Sequence, residues 1–139
     1  MRDFGKCAEI SNDPVKVFEE RKSKITFKNP ERKRIKKVDV QCLKLKGKSC
    51  DGHLIEMEES NAEYFVELKG NKVFTAVEQL RNTIEQISAD KRNQRKHSYV
   101  ICTKSPPGTN TTFQRKKIHF RKNYNSTLTV STGNHIVNI

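Results

Sequence analysis

The chain has no tryptophan, and only 33% of its 139 residues are hydrophobic. A domain of this size and composition can bury one core of modest depth, built from a small sheet and a few helices. We therefore expect no cavity large enough for an organic cofactor. No apolar run approaches the length of a membrane span, and no apolar stretch follows the charged N-terminus, so neither insertion nor export is expected.

The sequence also lacks paired cysteine motifs. Cys7, Cys42, Cys50 and Cys102 form no Cys-x-x-Cys motif and have no histidine at metal-ligand spacing, which argues against a zinc knuckle. Four free thiols are typical of a reducing compartment. A cytoplasmic location is therefore expected.

Acidic residues are missing from the C-terminal third. Residues 91 to 139 contain 10 basic side chains and no acidic one, whereas residues 1 to 90 contain 18 basic and 16 acidic side chains. A surface of this charge favours polyanions, because each neutralised phosphate releases condensed counterions. The charge predicts a nucleic-acid partner, and a solvated, solubilising face is the alternative.

The first half of the chain reads as a helix followed by strands. Asp13-Pro14 is typical of a helix start, and the predicted short helix runs to Glu20. A short strand is expected at 25–27. Alternating apolar and polar residues then predict a strand at about 35–46. Further strands are expected at 54–57 and 64–69, and short links join the three as a meander.

The second half begins with a change of period. Apolar residues recur at steps of four and three from Val73 to Ile87, which specifies an amphipathic helix over about 71–89. A strand at 98–103 follows. A strand, helix and strand of this kind form a right-handed crossover, which would make the last strand parallel to the third. A basic helix at 113–120 and a strand at 128–130 complete the prediction.

Three residues on these elements point to a metal site. Asp51 precedes the second strand of the meander, and Glu67 and Lys69 project from one side of the third, roughly 7 Å apart by strand rise. Two carboxylates and a backbone carbonyl offer the hard oxygen ligands that Mg²⁺ prefers. Lys69 can then orient or deprotonate an attacking water. The alternative is an ion pair between Glu67 and Lys69 on an exposed sheet face.

The spacing of acid and lysine is weak evidence by itself. Glu20-Arg21-Lys22 and Glu31-Arg32-Lys33 have the same spacing. Glu67-Leu68-Lys69 alone ends an aromatic and β-branched strand, follows a strand-leading aspartate and precedes a long helix. A glutamate at the end of a buried strand is also costly unless something pairs with it. Context therefore selects the third tripeptide.

These segments resemble a known family. Cys50-Asp51, the run 66–70 (Val-Glu-Leu-Lys-Gly) and a helix carrying Ala76 and Gln79 are similar to the core of the PD-(D/E)xK superfamily, the restriction-endonuclease-like nucleases. The resemblance covers residues 35–104. It implies an α/β fold with a mixed four-stranded sheet flanked by helices, in the order αβββαβ. The whole chain, 1–139, would be a single nuclease-like domain with a basic C-terminal extension at 105–139.

The resemblance also implies an activity and its residues. It implies Mg²⁺- or Mn²⁺-dependent hydrolysis of phosphodiester bonds, most simply in DNA. Asp51 and Glu67 would bind the metal, the Leu68 carbonyl would be a third ligand, and Lys69 would act on the water. The family's usual proline before the first acid is replaced by Cys50.

Further residues are assigned through the same resemblance. Glu20, or its neighbour Glu19, would join the site from the first helix. Gln79 would lie near the metal or the phosphate, with an ordinary exposed glutamine as the alternative.

His53, two residues after Asp51, is interpreted as a structural histidine rather than a ligand or proton carrier.

The cations of the C-terminal half are the predicted nucleic-acid contacts. Lys104 follows the fourth strand, where α/β sheets gather functional residues. The predicted electrostatic clamp consists of Arg115, Lys116, Lys117, Arg121 and Lys122. Two alternatives to a nuclease remain. One is a non-catalytic nucleic-acid-binding module with the same fold, and the other is a module of a restriction or defence assembly that needs a partner or a homodimer for activity.

Overall fold

A computed structural model describes residues 4–58, 60–68, 72–104 and 111–139. These residues form nine strands and two α-helices. In chain order the elements are β1 (Ala8–Ser11), β2 (Val15–Glu20), β3 (Ser23–Lys28), β4 (Ile35–Asp39), β5 (Gly52–Glu56), β6 (Glu63–Leu68), α1 (Val73–Ile87), β7 (Lys96–Cys102), α2 (Thr111–Tyr124), β8 (Ser126–Thr132) and β9 (Asn134–Asn138). Short 3₁₀ turns at Gly5–Cys7 and Gln41–Leu43 precede β1 and follow β4.

The strands form two sheets. The larger is a six-stranded mixed sheet in the order β1-β4-β5-β6-β7-β8, and the smaller contains β2, β3 and β9. Strands β4, β5 and β6 are antiparallel neighbours, whereas β7 and β8 run parallel to β6. The predicted mixed α/β class is confirmed, but the main sheet has six strands where the family resemblance implies four.

Both helices pack on one face of the main sheet, and the small sheet covers the other. Residues of α1 and α2 share a buried cluster with Phe65 and Val100 on the helix side. On the opposite side, Phe27 of β3 packs with Tyr64 and Ile101. Every residue of β5 and β6 is buried, as expected for central strands covered on both faces.

The predicted first helix is wrong. Residues 15–20 form β2, which pairs with β3 through a hairpin whose two-residue turn is Arg21-Lys22. Val15, Val17 and Phe18 favour a strand, and Phe18 points into the core between the sheets. A strong local start signal at Asp13-Pro14 is thus overridden by cross-strand pairing.

The predicted strand at 35–46 ends early. It stops at Asp39, and the chain then enters the 3₁₀ turn Gln41–Leu43. Cys42 in this turn forms a disulfide with Cys7. The expectation of four free thiols is therefore wrong, and the cytoplasmic location stays a prediction without that support. Cys50 and Cys102 are buried and take no part in a disulfide.

The crossover from β6 through α1 to β7 is confirmed. β6 and β7 pair in parallel, with Glu67 opposite Val100. The basic segment after Lys104 contributes α2, β8 and β9, so it belongs to both sheets rather than forming an appendage. Neither helix in the described ranges is long and apolar enough to cross a membrane.

Candidate functional site

Asp51 and Glu67 lie at the ends of adjacent strands. β5 and β6 pair antiparallel, and their outermost partners at this edge are Gly52 and Val66. Asp51 precedes Gly52 and Glu67 follows Val66, so both acids lie at the same end of these two strands. The Asp51 amide also donates to the Val66 carbonyl at 2.9 Å, and the Val40 amide donates to the Asp51 carbonyl at 3.2 Å. The backbone of Asp51 is therefore held by both neighbouring strands.

The Asp51 carboxylate turns towards the end of β6. Its Oδ2 atom accepts a hydrogen bond from the Leu68 amide at 2.7 Å. This bond is charge-assisted, which makes it stronger than a bond between neutral groups. The sequence-predicted residues Asp51 and Leu68 are thus in direct contact.

Glu67 is more enclosed than Asp51. It is 7% exposed and shares its face of β6 with Phe65, towards the helix layer. Burial raises the pKa of the nearby Cys50 thiol to about 12, and the negative charges of Glu67 and Asp51 add to that shift. Both carboxylates therefore act on the same buried sulfur.

A cleft of about 560 Å³ opens beside Asp51. Its described lining comes from β2, β4, the 3₁₀ turn and the ends of β5 and β6: Val17, Phe18, Glu19, Glu20, Lys37, Asp39, Gln41, Asp51 and Leu68. Glu67 is not among these lining residues. Four carboxylates and one lysine give this cleft a net negative charge.

Close packing of the two sheets shapes the floor of the cleft. The ring of Phe18 lies against Gly52, where even a Cβ atom would collide with the ring. Gly52 therefore lets β2 approach the start of β5, directly beside Asp51. The ammonium of Lys37 lies 4.9 Å from the centre of the Phe18 ring, and burial lowers the pKa of that ammonium.

Glu20 reaches the cleft by a route that differs from the predicted one. It is the last residue of β2 rather than part of a helix, yet it lines the same cleft as Asp51. Asp39 and Gln41 line it too, and sequence reasoning did not select either residue. The alternating sequence of β4 does not predict that these two residues line a cleft, because the cleft forms only when the small sheet packs on the main sheet.

Gln79 contacts the segment before Asp51. Its Nε2 atom donates to the Ser49 carbonyl at 3.1 Å. The predicted contact with a metal or phosphate stays a prediction, since the observed partner is backbone two residues before Asp51. Gln79 is partly buried in this position. The alternative prediction, an ordinary exposed glutamine, therefore does not describe it.

Lys69 lies outside the described residues, so its predicted catalytic role stays a prediction. His53 is fully buried and its Nε2 atom lies 3.0 Å from Glu63 Oε1. Its ring stacks on Phe65 in the core. These contacts are those of a structural histidine, and His53 is not among the residues that line the cleft.

The predicted nucleic-acid contacts fall into two groups along the fold. Lys104 is exposed just after β7, at the edge where β6 ends. A parallel crossover must start its helix at that same edge, so the first half of α2, with Arg115, Lys116 and Lys117, lies nearer to it than Arg121 and Lys122. Phe120 and Tyr124 of this helix are buried.

Two of these cations have partners within the chain. Lys116 lies 3.5 Å from Glu78 of α1, and the Lys117 ammonium lies 5.7 Å from the centre of the Phe113 ring. Exposed ion pairs of this kind contribute little energy. Both cations therefore remain available to a stronger anion.

The donor set bears on metal binding. Within residues 4–58, 60–68, 72–104 and 111–139, no group of three or more His, Cys, Asp and Glu side chains is arranged to hold a metal ion. The pair Asp51 and Glu67, with Glu20 and Asp39 in the adjoining cleft, consists of oxygen donors alone. Oxygen donors suit Mg²⁺ and Mn²⁺ rather than zinc.

Comparison with protein-family models, curated proteins and solved structures finds no match to this chain.

Proposed function

We propose that this protein is a metal-dependent nuclease of the PD-(D/E)xK, restriction-endonuclease-like type that hydrolyses phosphodiester bonds in DNA. The observation that carries the proposal is the antiparallel pairing of β5 with β6, whose last partners, Gly52 and Val66, are the chain neighbours of Asp51 and Glu67. The order of β4, β5, β6, α1 and β7 matches the βββαβ part of the core that the resemblance implies. Both supports come from the region 35–104.

Mg²⁺ or Mn²⁺ would be held by Asp51 and Glu67, with the Leu68 carbonyl and Glu20 as further oxygen donors. Such an ion supplies a bound water of lowered pKa and neutralises charge on the phosphate. The chain's own task is to orient these donors. The bond from the Leu68 amide fixes the direction of the Asp51 carboxylate, which reduces the ordering that ligand binding would otherwise require.

Lys69 would position the attacking water and accept or return its proton. It follows Leu68 directly, so it lies next to the Asp51 contact in the chain. In this role its charge would also offset the negative charge of the four cleft carboxylates.

The DNA backbone would approach along the edge that carries Lys104 and the first half of α2. Lys104 follows β7 at the same end of the sheet as Leu68, the last residue of β6, which lines the acidic cleft. Cations at this end of the sheet would hold the phosphates near the metal without occupying its carboxylate ligands. Arg121 and Lys122 would extend the contact along α2.

Cleavage of supercoiled plasmid tests the activity. The protein should nick or linearise plasmid with Mg²⁺ or Mn²⁺ and do neither in EDTA. Lys69→Ala should lower the rate by about 10² to 10⁴, the usual range for a group that transfers a proton. Lys28→Ala removes an exposed lysine at the end of β3 and serves as the matched control, with an unchanged rate. Metal-independent cleavage, or full activity of Lys69→Ala, would contradict the proposal.

Salt dependence tests the DNA surface. Arg115→Ala combined with Lys117→Ala should weaken binding to DNA of any sequence and reduce the slope of log K against log salt by about 2, since each phosphate contact contributes about 1. Lys28→Ala combined with Arg34→Ala removes the same charge elsewhere and should leave the slope unchanged. Equal slopes for both double variants would locate the binding surface away from α2.

A non-catalytic nucleic-acid-binding module is the second candidate. The 7% exposure of Glu67 favours it, since a metal ligand must reach its ion. Salt-sensitive DNA binding without cleavage in either metal would support this candidate over the nuclease. Absence of DNA binding would contradict both.

A further inference from the structure

The Cys7–Cys42 disulfide anchors the turn beside the cleft. Cys42 is the middle residue of the 3₁₀ turn Gln41–Leu43, and Cys7 ends the turn before β1. The two residues are 35 positions apart, and pairing of β1 with β4 brings their Cα atoms to 5.6 Å. Both cysteines are partly exposed, so a small reductant can reach the bond.

Gln41, the residue before Cys42, forms hydrogen bonds with the segment that leads to Asp51. The Nε2 atom of Gln41 donates to the Ser49 carbonyl at 3.1 Å and the Cys50 carbonyl at 3.0 Å, and lies 3.3 Å from Ser49 Oγ. These are the two residues immediately before Asp51. Gln41 also lines the cleft itself.

Helix α1 holds the same segment from the other side. Gln79 donates to the Ser49 carbonyl at 3.1 Å, and the Cys50 amide donates to Thr83 Oγ1 at 2.9 Å. The segment before Asp51 is thus held between α1, which is part of the core, and a turn that the disulfide ties to β1. Only the second of these anchors depends on a covalent bond that can be opened.

We propose that Gln41 is a positioning residue for Asp51, and that the Cys7–Cys42 disulfide makes this positioning dependent on redox state. The inference rests on the proposed function in one respect, namely that Asp51 belongs to the site. With the disulfide closed, Gln41 fixes Ser49 and Cys50, and Asp51 meets the Leu68 amide. With the disulfide open, the turn loses its tether to β1 and the grip on that segment loosens.

The redox step balances with a dithiol as reductant. A thiolate of the dithiol attacks one sulfur, the bond between Cys7 and Cys42 breaks, and a mixed disulfide forms with the other cysteine released as a thiolate. The second thiolate of the reductant then closes its own disulfide and releases the remaining cysteine. Two electrons pass to the protein, and the two cysteines take up two protons to become thiols.

Amide hydrogen exchange tests whether Asp51 keeps its position, and it does not require nuclease activity. In the reduced protein the Leu68 and Cys50 amides should exchange about fivefold faster or more, the effect expected when one hydrogen bond is weakened. Amides of Tyr99 and Val100 in β7 should keep their protection, because β7 is buried between β6 and β8. Uniform acceleration that includes β7, or unchanged Leu68 and Cys50 amides, would overturn the proposal.

Variants distinguish the effect of the disulfide from the effect of the Gln41 hydrogen bonds. Cys7→Ser combined with Cys42→Ser should reproduce the reduced pattern and no longer respond to the reductant. Gln41→Glu keeps the shape but has no N–H to donate, so it should loosen Leu68 and Cys50 even with the disulfide closed. Gln41→Lys restores a donor and should recover part of the protection. A double serine variant with the pattern of the oxidised protein would overturn the redox part, and a silent Gln41→Glu would overturn the role of Gln41.

Mn²⁺ binding tests whether the disulfide and Gln41 affect the proposed metal site. Reduction and Gln41→Glu should each weaken Mn²⁺ binding by about tenfold or more, as loss of a group that orients a ligand commonly does. A wild-type protein that binds no Mn²⁺ would contradict the proposed function, while the exchange experiment would still decide whether Gln41 and the disulfide position Asp51. Unchanged Mn²⁺ affinity in both states would show that the positioning has no effect on the site.

Discussion

Asp51→Asn is expected to reduce metal-dependent cleavage at least about a hundredfold and to leave the fold intact. Loss of a group that merely orients a ligand commonly costs 10- to 100-fold, so loss of a charged ligand should cost at least as much. Asparagine keeps an oxygen that can accept the Leu68 amide bond, which Asp51 Oδ2 accepts at 2.7 Å. The variant therefore removes the negative charge of Asp51 while it keeps the hydrogen bond to the Leu68 amide.

The comparison requires matched partners. Glu67→Gln should have a similar effect on cleavage, because Glu67 is the other proposed ligand. Glu31→Gln makes the same change of charge in an exposed turn and belongs to a tripeptide of the same spacing, Glu31-Arg32-Lys33. Its cleavage rate should equal that of the wild type. Thermal unfolding of all three variants shows whether folding is preserved, and a fully active, folded Asp51→Asn protein would refute the metal site.

Lys96→Met is expected to lower the free energy of unfolding by about 3 kcal/mol. Lys96 is fully buried, and its ammonium donates to the carbonyls of Asp90, Lys91, Gln94 and Tyr124 at 2.7 to 3.1 Å. Methionine fills much of the same space but leaves these acceptors without their donor, and hydrogen bonds to a charged group contribute about 1.5 to 3 kcal/mol. Tyr124 ends α2, where a cation also offsets the helix dipole.

Urea unfolding of Lys96→Met and of a surface control measures this effect. Lys91 is 49% exposed at its side chain and forms an ion pair with Glu85 at 2.9 Å. Lys91→Met should cost less than about 1 kcal/mol, the usual limit for an exposed pair. Equal losses in the two variants would mean that the buried ammonium contributes no more than a surface charge.

Several elements could be predicted because their signal is local. The steps of four and three from Val73 to Ile87 define α1 through its own periodicity, and the structure ends the helix at the last of these residues. The short apolar runs 54–55 and 64–66 likewise mark β5 and β6, and a long helix between two strands implies a parallel pair. These features depend on neighbours within a few residues.

Other features depend on residues far apart in the sequence. Residues 15–20 have a helix-start signal before them and become a strand because β3 pairs with them. Cys7 and Cys42 have no paired-cysteine motif, and β1 must lie beside β4 before they can meet. Lysine is usually a surface residue, but Lys96 is buried because its ammonium meets the carbonyl of Tyr124, 28 residues away, together with three carbonyls of the preceding loop.

For the candidate site, the sequence alone determined which acids deserve attention: Asp51 and Glu67 follow from strand position and from the resemblance carried by residues 50–51 and 66–70. Tertiary structure decided what surrounds them. The cleft exists because the small sheet packs on the main sheet at Gly52, which brings Glu20 to Asp51 from a strand rather than a helix. Local pattern fixes the face and order of a strand, whereas the neighbours of a carboxylate are set by contacts between layers that no short stretch of sequence encodes.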